Sequence, residues 1–249
     1  MELPDGIKVS NLSFNYGDKP VLAGASFQAR AGKFTGLLGP NGAGKSTLLS
    51  LLIGLLGECD GEISISGIDM RKHPRQALAR VGIVFQQSAL DLDLTIEQNM
   101  VYGAALRGWW GSDARRNINQ ALELMNIADR GRDKVRDLNG GHRRRLEIAR
   151  ALVHQPAVLI LDEPTVGLDI RTRNELVAHV HQLTTSENIT VLWASHLVDE
   201  IRESDDLVVL HEGQVRTTGP VNQLLRQHTC PTVLSLFERL TGADENLAS

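Results

Sequence analysis

The sequence predicts an α/β fold, and three observations carry that expectation. Short apolar runs alternate with longer amphipathic stretches along most of the chain. Residues 158–161 are continuously apolar, as a strand buried on both faces requires. A glycine-rich turn joins the apolar run 34–38 to a helical pattern that starts at Lys45.

Taken in chain order, the first third is rich in strands. Residues 7–14 alternate, with Ile7, Val9, Leu12 and Phe14 apolar, and 21–28 and 34–38 follow across Gly and Asp turns. Residues 45–56 read as a helix that is apolar around much of its circumference and therefore buried. A short strand pair is expected at 61–65 and 81–85. The middle third is helical and rich in arginine. It holds helices at 95–106, with Thr95 as N-cap, at 113–125, with Ser112 as N-cap, and at 143–153. The last third returns to alternation: a strand at 158–161, a helix at 171–183, a strand at 189–194, a helix at 197–203 and a strand at 207–211. Val233, Leu236, Phe237 and Leu240 are spaced i, i+3, i+4, i+7, so 232–240 is expected to be a short helix docked on the core, with a partner-binding helix as the alternative.

Composition bounds the function. The 249 residues suit one large α/β unit, or one core with a smaller subdomain. Lys plus Arg is 26 and Asp plus Glu is 30, so the formal net charge of -4 gives no global field for nucleic acid or an anionic membrane. The two cysteines, Cys59 and Cys230, have no CxxC spacing, which argues against a disulfide framework or a zinc site and fits a reducing compartment. The opening Met1-Glu2-Leu3-Pro4-Asp5-Gly6 lacks the basic and apolar regions of a signal peptide. The apolar stretch 48–56 is broken by Ser50 and Gly54 and is far short of the ~20 residues that span a bilayer. Any membrane-spanning part is therefore expected from another chain.

The chemistry concentrates in two places. Gly39-Pro40-Asn41-Gly42-Ala43-Gly44-Lys45-Ser46-Thr47 fits G-x-x-x-x-G-K-[ST] between a strand and a helix. Glycines let backbone N–H groups converge on phosphate oxygens at a helix N-terminus. Lys45 reaches the β- and γ-phosphates, Ser46 is placed to ligate Mg²⁺, and Thr47 donates to a phosphate. The second place is Asp162-Glu163-Pro164, at the end of the apolar run 158–161. Asp162 then reaches the carboxyl edge of the sheet, where ligands of open α/β folds gather, and is suited to hold Mg²⁺. Glu163, where the chain leaves the strand, is placed to polarise an attacking water.

With these motifs in hand, the chain closely resembles the nucleotide-binding subunit of ABC transporters over nearly its whole length. The resemblance implies a P-loop NTPase (RecA-like) core with an antiparallel β subdomain, an inserted helical subdomain at 88–156 and a C-terminal helical tail at 221–249, all in one ATP-binding domain, 1–249. It also implies roles for further residues. Tyr16 lies where the family stacks an aromatic on adenine. Gln86 looks like the family's glutamine that approaches Mg²⁺ and the water. Gly167-Leu168-Asp169 resembles the loop that crosses a dimer interface, and His196 matches the histidine that bonds the γ-phosphate.

The signature segment departs from the usual L-S-G-G-Q and reads Leu138-Asn139-Gly140-Gly141-His142. Both glycines and the following helix remain, so Asn139, Gly140 and Gly141 are expected to present backbone N–H groups to the nucleotide of a second protomer. The departure predicts a weaker signature half-site.

The resemblance further implies ATP and Mg²⁺ as cofactors, and hydrolysis with Lys45, Gln86, Glu163 and His196 as the catalytic set. The expected partners are an integral membrane permease subunit and a second ATP-binding subunit, homo- or heterodimeric. No nucleic acid is expected. The arginine run 143–145 is instead expected on a solvated helix face, or in salt bridges with the adjoining subdomain. The implied location is the cytoplasmic face of the inner or plasma membrane. Residues 146–152, 162–169 and 237–242 look like the branch that exports drugs, polysaccharides or nodulation factors. A soluble ABC ATPase acting on ribosomes or DNA is the alternative. Such proteins carry two cassettes or a long coiled-coil insertion, which 249 residues do not hold. Trp109 and Trp110 either meet a partner or close the loop 108–111.

Overall fold

A computed structural model describes residues 5–57 and 59–242. Residues 1–4 and the tail residues 243–249, on which the leader and tail expectations partly fall, lie outside the described residues. In chain order the elements are β1 (Asp5–Tyr16), β2 (Lys19–Arg30), β3 (Phe34–Leu38), α1 (Lys45–Leu52), β4 (Asp60–Ile65), β5 (Ile68–Asp69), α2 (Pro74–Leu78) and β6 (Val81–Val84). There follow α3 (Ile96–Leu106), α4 (Gly111–Leu124), α5 (Gly140–Leu152), β7 (Val158–Asp162), α6 (Ile170–Ser186) and β8 (Thr190–Ser195). The chain continues through β9 (Asp206–His211), β10 (Gln214–Pro220), α7 (Val221–Gln227) and α8 (Val233–Thr241).

Two sheets form. The smaller is antiparallel, in the order β2-β1-β4-β5; the larger runs β10-β9-β3-β8-β7-β6, parallel except for the β9–β10 hairpin. Strand β7 shows why its run is continuously apolar. Leu159 and Leu161 enter the core shared with α5 and α6, whereas Val158 and Ile160 enter the core shared with α1 and the antiparallel sheet. Successive side chains point to opposite faces, and both faces are covered. Helices α3, α4 and α5 lie between β6 and β7 in the chain and bury Met100, Ile118, Leu122 and Leu146 among themselves.

Several expected elements differ. The helix expected over 45–56 stops at Leu52, because Gly54 turns left-handed at φ 69° and its N–H bonds back to Leu51 O. The strands expected as a pair near 61–65 and 81–85 belong to different sheets, with α2 between them. Helix α4 starts at Gly111 after Trp110, so Ser112 lies inside it and caps nothing. Helix α5 starts three residues before the expected Arg143, because Asn139 Oδ1 accepts the N–H of His142 and offsets the cost of two leading glycines.

The helix expected over 197–203 is only a single 3₁₀ turn, Val198–Glu200. Its last residue turns its carboxylate inward instead of following a helical face. Thr95 caps α3 with a full capping box, as expected. The stripe of α8 docks as expected: Leu236 is fully buried, and Val233, Phe237 and Leu240 pack on the core. Trp109 packs on the same core and closes its loop, while Trp110 stays exposed. Strand β10 matches no strand expected from the sequence, whereas α7 falls within the tail 221–249 expected to be helical.

Candidate functional site

Parallel register builds the site. Leu38 of β3 lies beside Ser195 of β8, and Asp162 of β7 lies beside Ala194. The carboxyl ends of three adjacent strands therefore deliver Gly39, Asp162-Glu163 and His196 to one edge. A cavity of about 890 Å³ opens there, lined by Tyr16, Gly42, Gly44, Lys45, Ser46, Thr47, Gln86, Glu163 and His196.

The turn 39–47 wraps into α1 with specific steric demands. Gly44 adopts φ 105°, and a Cβ there would sit 3.0 Å from Leu22 Cδ2. At Gly39 a Cβ would meet Leu210 O at 2.4 Å. Both positions exclude any side chain, which keeps the backbone N–H groups at the helix N-terminus open to an anion. Lys45 is 6% exposed, and its Nζ donates to Gly39 O at 2.7 Å and Pro40 O at 3.2 Å. Glu163 Oε1 lies 3.6 Å away. Burial pushes the ammonium below its ordinary range, and Glu163 opposes that shift.

Glu163 is held from three sides. Its N–H donates to Ala194 O at 2.9 Å, Lys45 faces Oε1, and His196 Nδ1 donates to Oε2 at 2.9 Å. Its backbone sits at φ 46°, a left-handed conformation that costs a non-glycine residue about 1–3 kcal/mol and persists only where the surroundings enforce it. That strain turns the carboxylate out of the strand and toward Lys45.

Asp162 has a different environment. Burial raises its carboxyl above the usual range, and hydrogen bonding with Ser46 opposes the shift. Its Oδ1 is buried with no hydrogen-bond partner. A buried acid with one orphaned oxygen, next to a hydroxyl and in reach of the phosphate turn, fits a hard divalent cation with oxygen ligands. Ser46, Asp162 and Gln86 supply that kind of donor set.

Tyr16 stands at the end of β1, 51% exposed and edge-to-face on Phe14 at 5.0 Å, so it is not a core aromatic. The described structure also contributes residues the sequence reading missed. Residues 19–23 of β2, Val166 and the β9–β10 turn at Glu212 and Gly213 line the cavity. Gly213 donates its N–H to Ala43 O and accepts from Ala23 N, both at 3.0 Å, which ties the phosphate turn to the hairpin. Only the Glu-Gly turn pair hinted at this, and nothing local assigns it to a site.

Asn139, Gly140 and Gly141 do not reach this cavity within one chain. They sit at the start of α5, where a Cβ on Gly141 would lie 2.4 Å from Thr172 Cγ2 and one on Gly140 3.1 Å from Leu168 Cδ2. Asn139 Oδ1 accepts from both the N–H and the ring Nδ1 of His142, each at 2.8 Å. The arginine run 143–145 is neither a solvated face nor mainly a salt-bridge set. Arg143 donates to Val135 O and Arg136 O, Arg144 to Phe85 O and Gln86 O, and Arg145 to Met125 O. Their guanidinium groups bind carbonyls and hold α5 to its surroundings.

The model of a family described as ABC transporter matches residues 22–166, more than half of the chain and the whole of the phosphate turn and carboxylate pair. The chain belongs to the ABC transporter family. This ABC chain is 34% identical to the linearmycin resistance ATP-binding protein LnrL of Bacillus subtilis (strain 168), covering 92% of this chain and 74% of that protein. It is 36% identical to the Nod factor export ATP-binding protein I of Rhizobium meliloti (strain 1021), covering 93% and 69%.

Among solved structures, cbiO1 of Clostridium perfringens, part of the cbiONQ ABC transporter complex, superposes with a TM-score of 0.81 at 29% identity, over 90% of this chain and 92% of that one. A bacterial Atm1-family ABC exporter with ATP bound gives a TM-score of 0.77 at 30% identity, over 96% of this chain and 42% of that one. The α/β fold with its parallel and antiparallel sheets is thus that of ABC ATPase domains. The chain is an ATP-binding subunit of a transporter. Among the described residues no helix is long and apolar enough to cross a membrane.

Proposed function

We propose that this ABC subunit hydrolyses Mg-ATP to drive export through a separate membrane permease, working as a head-to-tail pair at the cytoplasmic face of the membrane. The observation that carries the reading is Glu163, held between Lys45 and His196 at the mouth of the glycine-walled turn. The turn's N–H groups and Lys45 neutralise the β- and γ-phosphates, and Thr47 donates to a phosphate. Glu163 orients the attacking water and accepts its proton, while His196 steadies Glu163 and the γ-phosphate. Tyr16 gives the adenine a flat face. Magnesium, held by Ser46, Asp162 and Gln86, would supply charge neutralisation at the phosphate oxygens.

Asn139, Gly140 and Gly141 serve the second protomer's nucleotide; their absence from the cavity of their own chain supports that division. The same reading makes 88–156 an inserted helical subdomain and 221–249 a tail. The permease would dock at 87–95, where Leu92 is exposed. The relatives named for Nod factor export and linearmycin resistance support export.

The test is steady-state ATPase of the purified chain with and without Mg²⁺. Glu163→Gln is expected to lower kcat by roughly 10²–10⁴-fold, the range typical of a lost general base, while nucleotide still binds. Full activity in that variant would overturn the assignment.

A further inference from the structure

Glu200 is 2% exposed, and its carboxylate is spent on two donors from different segments. Thr165 Oγ1 donates to Oε1, and Trp193 Nε1 donates to Oε2 at 2.9 Å. Thr165 stands two residues after Glu163, and Trp193 three residues before His196. One side chain therefore ties the segment leaving β7 to the strand that leads into the histidine. A buried carboxylate is costly unless its oxygens are satisfied, and both oxygens of Glu200 are.

The turn that carries Glu200 is itself anchored. Asp199 accepts from Arg173 Nη2 of α6 at 2.8 Å, and Val198 packs against the core that receives α8. Glu163, at positive φ, needs surroundings that enforce its backbone. Thr165 is the nearest residue after Glu163 whose side chain is fastened to another segment.

We propose that Glu200 is a positioning residue for ATP hydrolysis: its carboxylate clamps Thr165 to Trp193 and so holds Glu163 and His196 in mutual register. The inference rests on the functional reading above and deepens it, since Glu200 touches no nucleotide and acts through the two residues that do. Loss of the clamp lets Glu163 drift relative to His196, which costs turnover and leaves the phosphate turn, and thus nucleotide affinity, in place.

The test uses the full chain and reads kcat, KM for Mg-ATP and thermal midpoint together. Thr165→Val removes one hydroxyl with little change of shape, and Glu200→Ala removes the carboxylate. Each is expected to lower kcat roughly ten- to hundred-fold, with KM within about two-fold of the parent. Glu200→Gln is expected to rescue most of the rate. Its carbonyl accepts from Trp193 and its amide donates to the Thr165 hydroxyl, so both ties persist. Should Glu200→Ala fail to fold, Thr165→Val decides alone. Thr165→Val turning over at the parent rate, or losing KM and kcat together, would overturn the proposal. So would Glu200→Gln as slow as Thr165→Val. If the parent protein itself neither binds nor hydrolyses Mg-ATP, the functional reading falls and this inference with it. A competent parent with an indifferent Thr165→Val rejects the clamp only.

Discussion

At the scale of single residues, the same side-chain type takes on different work according to what surrounds it. The carboxyl of Asp162 is raised by burial and left with an orphaned oxygen, whereas Glu163, one residue later, faces the Lys45 ammonium and the His196 ring. The dipeptide and separate expectations for its two acids were readable in the sequence; the contact of Glu163 with Lys45 and His196 depends on the left-handed backbone at Glu163, which no local pattern announces.

His154 shows the opposite case, a half-buried histidine outside the site. Burial and the neighbouring Arg107 hold its pKa down to about 4, against 6.5 for an unperturbed ring. The folded state therefore binds fewer protons than the unfolded chain between those values. Its contribution is complete above about pH 6.5 and is lost progressively as pH falls toward 4, by at most about 3 kcal/mol. Urea midpoints measured across that window are expected to fall less steeply in His154→Gln than in the parent. Parallel curves would show that His154 does not titrate this way.

At the scale of elements, α5 is the part that local signals described least well. Two leading glycines argue against a helix start, and its arginines look like a solvated face, yet Asn139 caps it and its guanidinium groups reach neighbouring carbonyls. Arg144 also pairs with Glu147 at 2.5 Å, both nearly buried, while gripping the backbone of Phe85 and Gln86. Arg150 adds a bond to Ala89 O at 2.8 Å. The helix that carries the signature residues is thereby fastened to the segment that carries Gln86.

Arg144→Met leaves buried Glu147 without its hydrogen-bond partner and is expected to cost about 3–5 kcal/mol in chemical denaturation, with much of that recovered in Arg144→Met/Glu147→Leu. A loss below 1 kcal/mol would mean the pair is not desolvated. Gly141→Ala places a Cβ against Thr172 Cγ2 and is expected to destabilise by about 1–3 kcal/mol. Thr172→Ser should relieve it, because serine keeps the hydroxyl that bonds Asp169 and removes the methyl. Strands buried on both faces and the Thr95-capped helix α3 were legible because each states its own boundary. The helix expected over 197–203 was not, because burial of Glu200 overrode its local pattern.

At the scale of the whole molecule, the pairing of β8 with both β3 and β7, and of β3 with β9, is what gathers the site. Those partners are far apart in sequence, so local patterns placed the motifs without showing how they meet. The hairpin residues Glu212 and Gly213 remained invisible for the same reason. Within one chain the signature residues stand away from the cavity, which supports the proposed pairing with a second ATP-binding subunit. ATPase activity per chain is expected to rise with protein concentration before levelling off; activity independent of concentration would contradict that arrangement.

The central claim is that the glycine-walled turn and Asp162 together hold a triphosphate and its magnesium. It is tested most directly by equilibrium titration of ATP into the parent chain and Asp162→Asn, with and without Mg²⁺. Saturable binding in the parent is expected, strengthened by Mg²⁺, with that strengthening largely absent in Asp162→Asn. No saturable binding in the parent, or the same magnesium effect in both proteins, would contradict it.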